Sequence, residues 1–153
     1  MTVATTALAA RAASVSTGRP VPPAATQLLA AARYSLYDAT AAGRPTERYA
    51  AAHLAALRCA AAILAARARP VATDGRRGRR IRNAWALLSE VAPELAEWAA
   101  FFAAGSAKRA AAEAGLEGAI IVREADDLVR DVETFLALVE TTLGLAHQPL
   151  LPA

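Results

Sequence analysis

The sequence predicts an all-α protein, and three observations lead there. Alanine supplies 44 of the 153 residues while valine, isoleucine and threonine are sparse, so helix-favouring side chains dominate and strand-favouring ones are nearly absent. Apolar residues recur at spacings of three and four through 28–39, 49–64 and 121–139, which is the period of a helix face. Glycine and proline fall largely between these stretches, at Gly43, Pro45, Pro70, Gly115, Gly144 and Pro149, where they act as stops.

A chain of this length can bury a core without metals or disulfides, and one domain is expected. The opening "MTVATTALAARAASVSTGRPVPP" lacks the leucine-rich run of a secretory signal and reads as a disordered lead-in over residues 1–24. The helical domain then spans 25–144, followed by a tail over 145–153 that is expected to be poorly anchored.

The first helix is expected to start with Thr26 as N-cap and to run through "QLLAAARYSLYDATAA", with Leu28, Leu29, Ala32, Leu36 and Ala39 on one face. Gly43 and Pro45 end it. The second helix occupies about 46–68, with one apolar stripe through Tyr49, His53, Ala56, Ala60, Ile63 and Arg67 and a second through Ala50, Leu54, Leu57, Ala61 and Leu64. The short link between the two helices implies an antiparallel hairpin.

"PVATDGRRGRR", residues 70–80, reads as an exposed loop. The stretch "IRNAWALLSEVAPELAEWAAFFAAG" is helical, but Pro93 in its interior breaks it or opens a new helix at its first position. Trp85, Leu88, Leu95, Trp98, Phe101 and Phe102 are expected to form the centre of the core. Gly105 and Ser106 interrupt or end that helix, and Gly115 stops "AKRAAAEAG". The last helix covers about 118–143, with Ile121, Ala125, Leu128, Val132, Phe135 and Val139 on its central stripe.

Charge is unevenly divided. Residues 1–82 carry 13 arginines against Asp38, Glu47 and Asp74, a net +10, whereas 83–153 carry four basic and eleven acidic residues, a net −7. Such polarity steers a polyanion towards one end or lets two copies meet head to tail. Cys59, the only cysteine, excludes an intramolecular disulfide or a thiolate cluster and fits a reducing cytoplasm. No window of 18 residues is apolar without interruption; the nearest, 49–66, contains His53 and Arg58, so a soluble, cytoplasmic protein with no membrane span is expected.

The chain has no glycine-rich phosphate loop after a strand, no H-E-x-x-H, no Cys/His ligand set and no G-x-S-x-G. No cofactor and no metal are expected. Glu124, Asp126, Asp127 and Asp131 form an acidic group, but Arg123 and Arg130 stand at helical spacing to neutralise it. His147 lies in the tail, which leaves His53 as the candidate for proton transfer. Arg67, Arg69, Arg76, Arg77, Arg79, Arg80 and Arg82 place seven cations within 16 residues, a density that repels itself unless an anion is near.

The hairpin ending in "ERYAAAHLAALRCAAAILAARARP", followed by "NAWALLSEVAPELAEWAAFFAAG" and "READDLVRDVETFLALVE", resembles the HEPN superfamily (higher eukaryotes and prokaryotes nucleotide-binding), in an alanine- and arginine-rich actinobacterial subgroup. The likeness covers about residues 26–143. It implies a four- or five-helix bundle, frequent homodimerisation and, in many relatives, a metal-independent ribonuclease with an R-x(4–6)-H signature. Arg48 and His53 match that spacing, with imidazole as base on a ribose hydroxyl and guanidinium stabilising the phosphorane. On one helix, however, five residues separate the two side chains by about 140°. Arg82 and Asn83 imitate the start of the signature, but Leu87, Leu88 and Ser89 stand where its histidine would be.

The leading reading is a non-catalytic or weakly catalytic RNA- or nucleotide-binding module, working as a homodimer in a stress or defence response. Arg76, Arg77, Arg79, Arg80, Arg82 and Asn83 are its contact residues. The alternatives are an active ribonuclease using Arg48 and His53, and a structural module whose arginine loop meets an acidic protein partner.

Overall fold

The computed structural model describes residues 20–67 and 84–148. Among them are six α-helices and no strand: α1 (Pro23–Ala41), α2 (Pro45–Arg67), α3 (Ala84–Val91), α4 (Ala96–Ala104), α5 (Ser106–Glu113) and α6 (Val122–Thr142). The number exceeds the expected four to five because the central region is cut twice. After α3 the chain passes Ala92 into a tight 3-10 turn, Pro93–Leu95, and only then enters α4. Gly105 separates α4 from α5.

The first helix begins at Pro23, not after Thr26, because proline is preorganised for the first helical position and has no N–H to leave unsatisfied. Thr26 lies inside the first turn, where its hydroxyl donates to the Pro23 carbonyl at 2.9 Å. The helix therefore opens within the stretch assigned to the lead-in. At the far end, Ala42 turns to extended backbone and its N–H reaches the Asp38 carbonyl, so the chain re-enters helix at Pro45.

The α1–α2 hairpin is the most extensive contact of the bundle, and α6 packs next most closely on α2. Small residues make up much of the buried surface of both hairpin helices. Ala25, Ala32 and Ala39, spaced by seven on α1, are fully buried, as are Ala52, Ala56, Cys59 and Ala62 on α2. Small residues let two helices approach closely and gain dispersion contacts, and Leu29 and Leu36 fill the spaces beside them.

This packing corrects one expectation for α2. Its first stripe is buried as far as Ile63, but Arg67 is exposed and pairs with Glu94 across 2.5 Å. The second stripe is not buried: Leu54 is 40% exposed, and Ala50, Leu57, Ala61 and Leu64 are only half-buried. Burial extends instead round the opposite flank, through Ala52, Ala55, Cys59 and Ala62. Periodicity locates a stripe but does not say on which side a neighbour lies.

The two remaining glycine stops are built alike. Gly115 and Gly144 adopt φ of +67° and +72°, which only glycine reaches without strain. The N–H of Leu116 reaches the Ala111 carbonyl and that of Gly115 the Ala112 carbonyl. At the end of α6, Leu145 reaches Glu140 and Gly144 reaches Thr141 in the same 6→1 and 5→2 pattern.

On α6, Ala125, Leu128, Val132, Phe135 and Val139 are buried with Val129 and Leu136. Ile121 is not: it is the N-cap, 58% exposed, and its N–H is taken up by the Glu124 carboxylate at 3.1 Å. Phe135 meets Phe102 (5.0 Å between ring centres) and Trp98 (5.5 Å), and Trp85 stacks on Phe102 at 5.1 Å. Phe101, expected in this core, lies on the outward side of α4 and is 47% exposed. One residue is 100° of helix, and on α4 that step carries Phe101 past the edge of the face on which Phe102 is buried. By length and composition α2 alone among the described helices could cross a membrane, and half of its most apolar window is buried inside the bundle.

Candidate functional site

His53 stands where α2 passes the aromatic cluster. It is 1% exposed, with its ring stacked near Tyr49 (6.5 Å) and edge-on to Trp85 (6.0 Å) and Phe102 (6.1 Å). Its Nε2 lies 3.2 Å from the Phe102 carbonyl. A carbonyl only accepts, so Nε2 carries the hydrogen and Nδ1 is left as an acceptor. That Nδ1 is buried and has no partner among the described residues.

Burial pushes the imidazole below its ordinary pKa of 6.5; the bond to Phe102 opposes this, Arg109 adds to it and Glu113 works against it. Taking a charge out of water disfavours the imidazolium form. Tyr49, one turn before His53, is pushed up by burial, with Lys108 lowering and Glu124 raising it.

Gly105 completes this corner. A methyl at 105 would stand 3.0 Å from the Tyr49 hydroxyl and 3.8 Å from His53 Nε2. The space left open is a cavity of about 240 Å³, floored by Tyr49, His53 and Phe102 and edged by Phe101 and Leu128.

Arg48 points elsewhere. It pairs with Asp126 on α6, and its Nη2 donates to the Ala42 carbonyl at 2.8 Å. It thus ties the α1–α2 turn to α6 and lines a separate groove of about 330 Å³ with Thr40, Val129 and Glu133. Arg48 and His53 do not meet within the chain, as their angular separation on one helix requires. Arg76, Arg77, Arg79, Arg80, Arg82 and Asn83 lie outside the described residues.

The acidic group of α6 is met by cations from several elements. Glu124 pairs with Lys108 of α5, Asp126 with Arg48, and Asp127 with Arg130 at 3.2 Å and Arg123 at 3.8 Å. The link to Lys108 holds Glu124 below the usual carboxylate range, while burial and the neighbouring Asp127 hold Asp131 above it. Among the described residues no three His, Cys, Asp or Glu side chains are grouped to hold a metal ion.

A second polar cluster escaped the sequence reading. Glu140 is fully buried; one carboxylate oxygen pairs with Arg33 of α1 and the other lies 2.7 Å from His147 Nδ1 and 3.3 Å from the Gln148 N–H. His147, expected in a poorly anchored tail, is therefore tied to the core through residue 148. The signal was present: Val132, Leu136 and Glu140 share one face at spacings of four, so the carboxylate falls on the buried side and needs a cation there.

Comparisons with curated proteins and with solved structures return no match. A family profile described as SAV_6107-like HEPN matches residues 39–140, from the end of α1 to the last turn of α6. That span takes in the hairpin turn, the His53 corner, both breaks of the central region and the buried Glu140, and the chain belongs to the SAV_6107-like HEPN family.

Proposed function

We propose that this HEPN module binds RNA or a nucleotide without turning it over, with Arg76, Arg77, Arg79, Arg80, Arg82 and Asn83 as its contact residues. The observation that carries the non-catalytic part is the orientation of the two signature residues. His53 is 1% exposed inside an aromatic shell, its Nε2–H is committed to the Phe102 carbonyl, and Nδ1, the ring's acceptor, is itself buried away from solvent. Arg48 is engaged by Asp126 and Ala42 on another side of the helix. A general base needs its acceptor nitrogen within reach of the substrate proton, and a transition-state cation must converge on the same phosphate.

The binding part rests on charge. Seven arginines within 16 residues favour a polyanion through counterion release. The reading extends to a homodimer acting in the cytoplasm, in a stress or defence response.

Filter retention of a single-stranded RNA across a salt series tests it. The logarithm of affinity should fall linearly with the logarithm of salt. Replacing Arg76, Arg77, Arg79 and Arg80 by alanine should reduce that slope by about 3, at roughly 0.7 for each phosphate no longer neutralised. RNA left intact by the wild-type chain is expected. Metal-free cleavage that disappears in a folded His53→Ala variant would replace this reading by a ribonuclease, and absence of retention at low salt would favour an acidic protein as partner.

A further inference from the structure

We propose that the cavity over Tyr49, His53 and Gly105 is a binding site for a small, uncharged, planar nitrogen heterocycle. Size is the first argument. A cavity of about 150 Å³ accepts benzene, and pockets for drug-sized ligands begin near about 300 Å³. The value here, about 240 Å³, falls between and suits one ring or two fused rings.

Chemistry narrows the class. Tyr49, Phe101, Phe102 and Leu128 provide flat or apolar walls, and no lining side chain carries a full charge. The nearest charges are already matched: Lys108 with Glu124, and Arg109 with Glu113 at 2.9 Å. A phosphate or carboxylate would find no free cation in this lining, which makes the site independent of the polyanion reading above.

Polar capacity is nevertheless present. The Tyr49 hydroxyl can both donate and accept, and it faces Gly105, a β-carbon there lying 3.0 Å from it. A heterocycle offers apolar faces to the aromatic walls and an in-plane polar edge to the phenol. Glycine at 105 keeps the entrance open, since a β-carbon there would press against the Tyr49 hydroxyl at 3.0 Å. Phe101, otherwise an unexplained exposed aromatic, forms the lip.

The probe is benzimidazole at a pH where it is uncharged, added to the isotopically labelled full chain and followed by amide and imidazole NMR shifts. Saturable shifts at Tyr49, His53 and Gly105 are expected, with toluene, which has no polar edge, binding about tenfold more weakly, the worth of one hydrogen bond. Phe101→Ala, at an exposed position, should weaken benzimidazole severalfold while Leu54→Ala, equally exposed but outside the cavity, leaves it unchanged. Gly105→Ala should weaken it as well. No saturable shift up to about 5 mM, equal binding of toluene, or indifference to Phe101→Ala would overturn the proposal.

Discussion

Nδ1 of His147 lies 2.7 Å from a carboxylate oxygen of Glu140, a side chain with no solvent exposure whose other oxygen is held by Arg33. One buried carboxylate thereby joins α1, α6 and the segment after α6. Glu140→Ala would strand a largely buried guanidinium and should destabilise the fold by about 3 kcal/mol. His147→Ala removes a half-exposed partner and should cost about 0.5–1 kcal/mol. Urea denaturation of the two variants and of the double variant measures both, and an equal loss in the two single variants would contradict the assigned burial.

His53 makes stability depend on pH in a defined direction. Its folded pKa lies below the unfolded value of 6.5 because burial disfavours the cation, so below that pH the unfolded chain binds more protons than the folded one. The contribution is complete above pH 6.5 and is lost as pH falls, with a slope of at most about 1.4 kcal/mol per pH unit. In His53→Leu the stability lost between pH 7 and 5 should shrink relative to the wild-type chain. Thermal melts across that range decide it; parallel curves for the two proteins would show an unperturbed ring.

Cys59 is fully buried, and burial together with the nearby Glu140 pushes its thiol far above the ordinary range, against a lowering by Arg33. The thiolate is the reactive form. Alkylation of the native chain should therefore be slow and should follow global unfolding, rising along the same urea curve as loss of helix. Rapid labelling in buffer would place the thiol at an opening the fold lacks.

Gly115 and Gly43 form an internal control. Neither has an atom within 4 Å of where a β-carbon would stand, but Gly115 holds φ at +67°. Alanine at 115 should cost about 1–2 kcal/mol from backbone conformation alone, whereas alanine at 43 should be neutral or stabilise by a few tenths of a kcal/mol. Denaturant midpoints of the two variants compare them directly.

Much of the architecture was legible because local rules decided it. Pro93 could not continue a helix and did not, and Gly115 and Gly144 stand at the left-handed positions where α5 and α6 end. The stripe of α6 from Ala125 to Val139 was readable because bulky residues there alternate with charge. The stripe of α2 was ambiguous because alanine lies on every side of that helix, and hydrophobicity alone cannot rank equivalent faces. The buried side followed the packing of α2 against α1 and α6, a fact of the partner helices.

The sequence by itself determined an all-helical chain, its main stops and the divergence of Arg48 from His53, since each follows from backbone geometry within a few residues. Only the tertiary structure decided which face of α2 met α1, that Arg48 would answer Asp126, and that Glu140 would bind Arg33 and His147. These pairings join residues up to 107 positions apart. The position of a long-range partner depends on how whole helices stack, which no local period encodes.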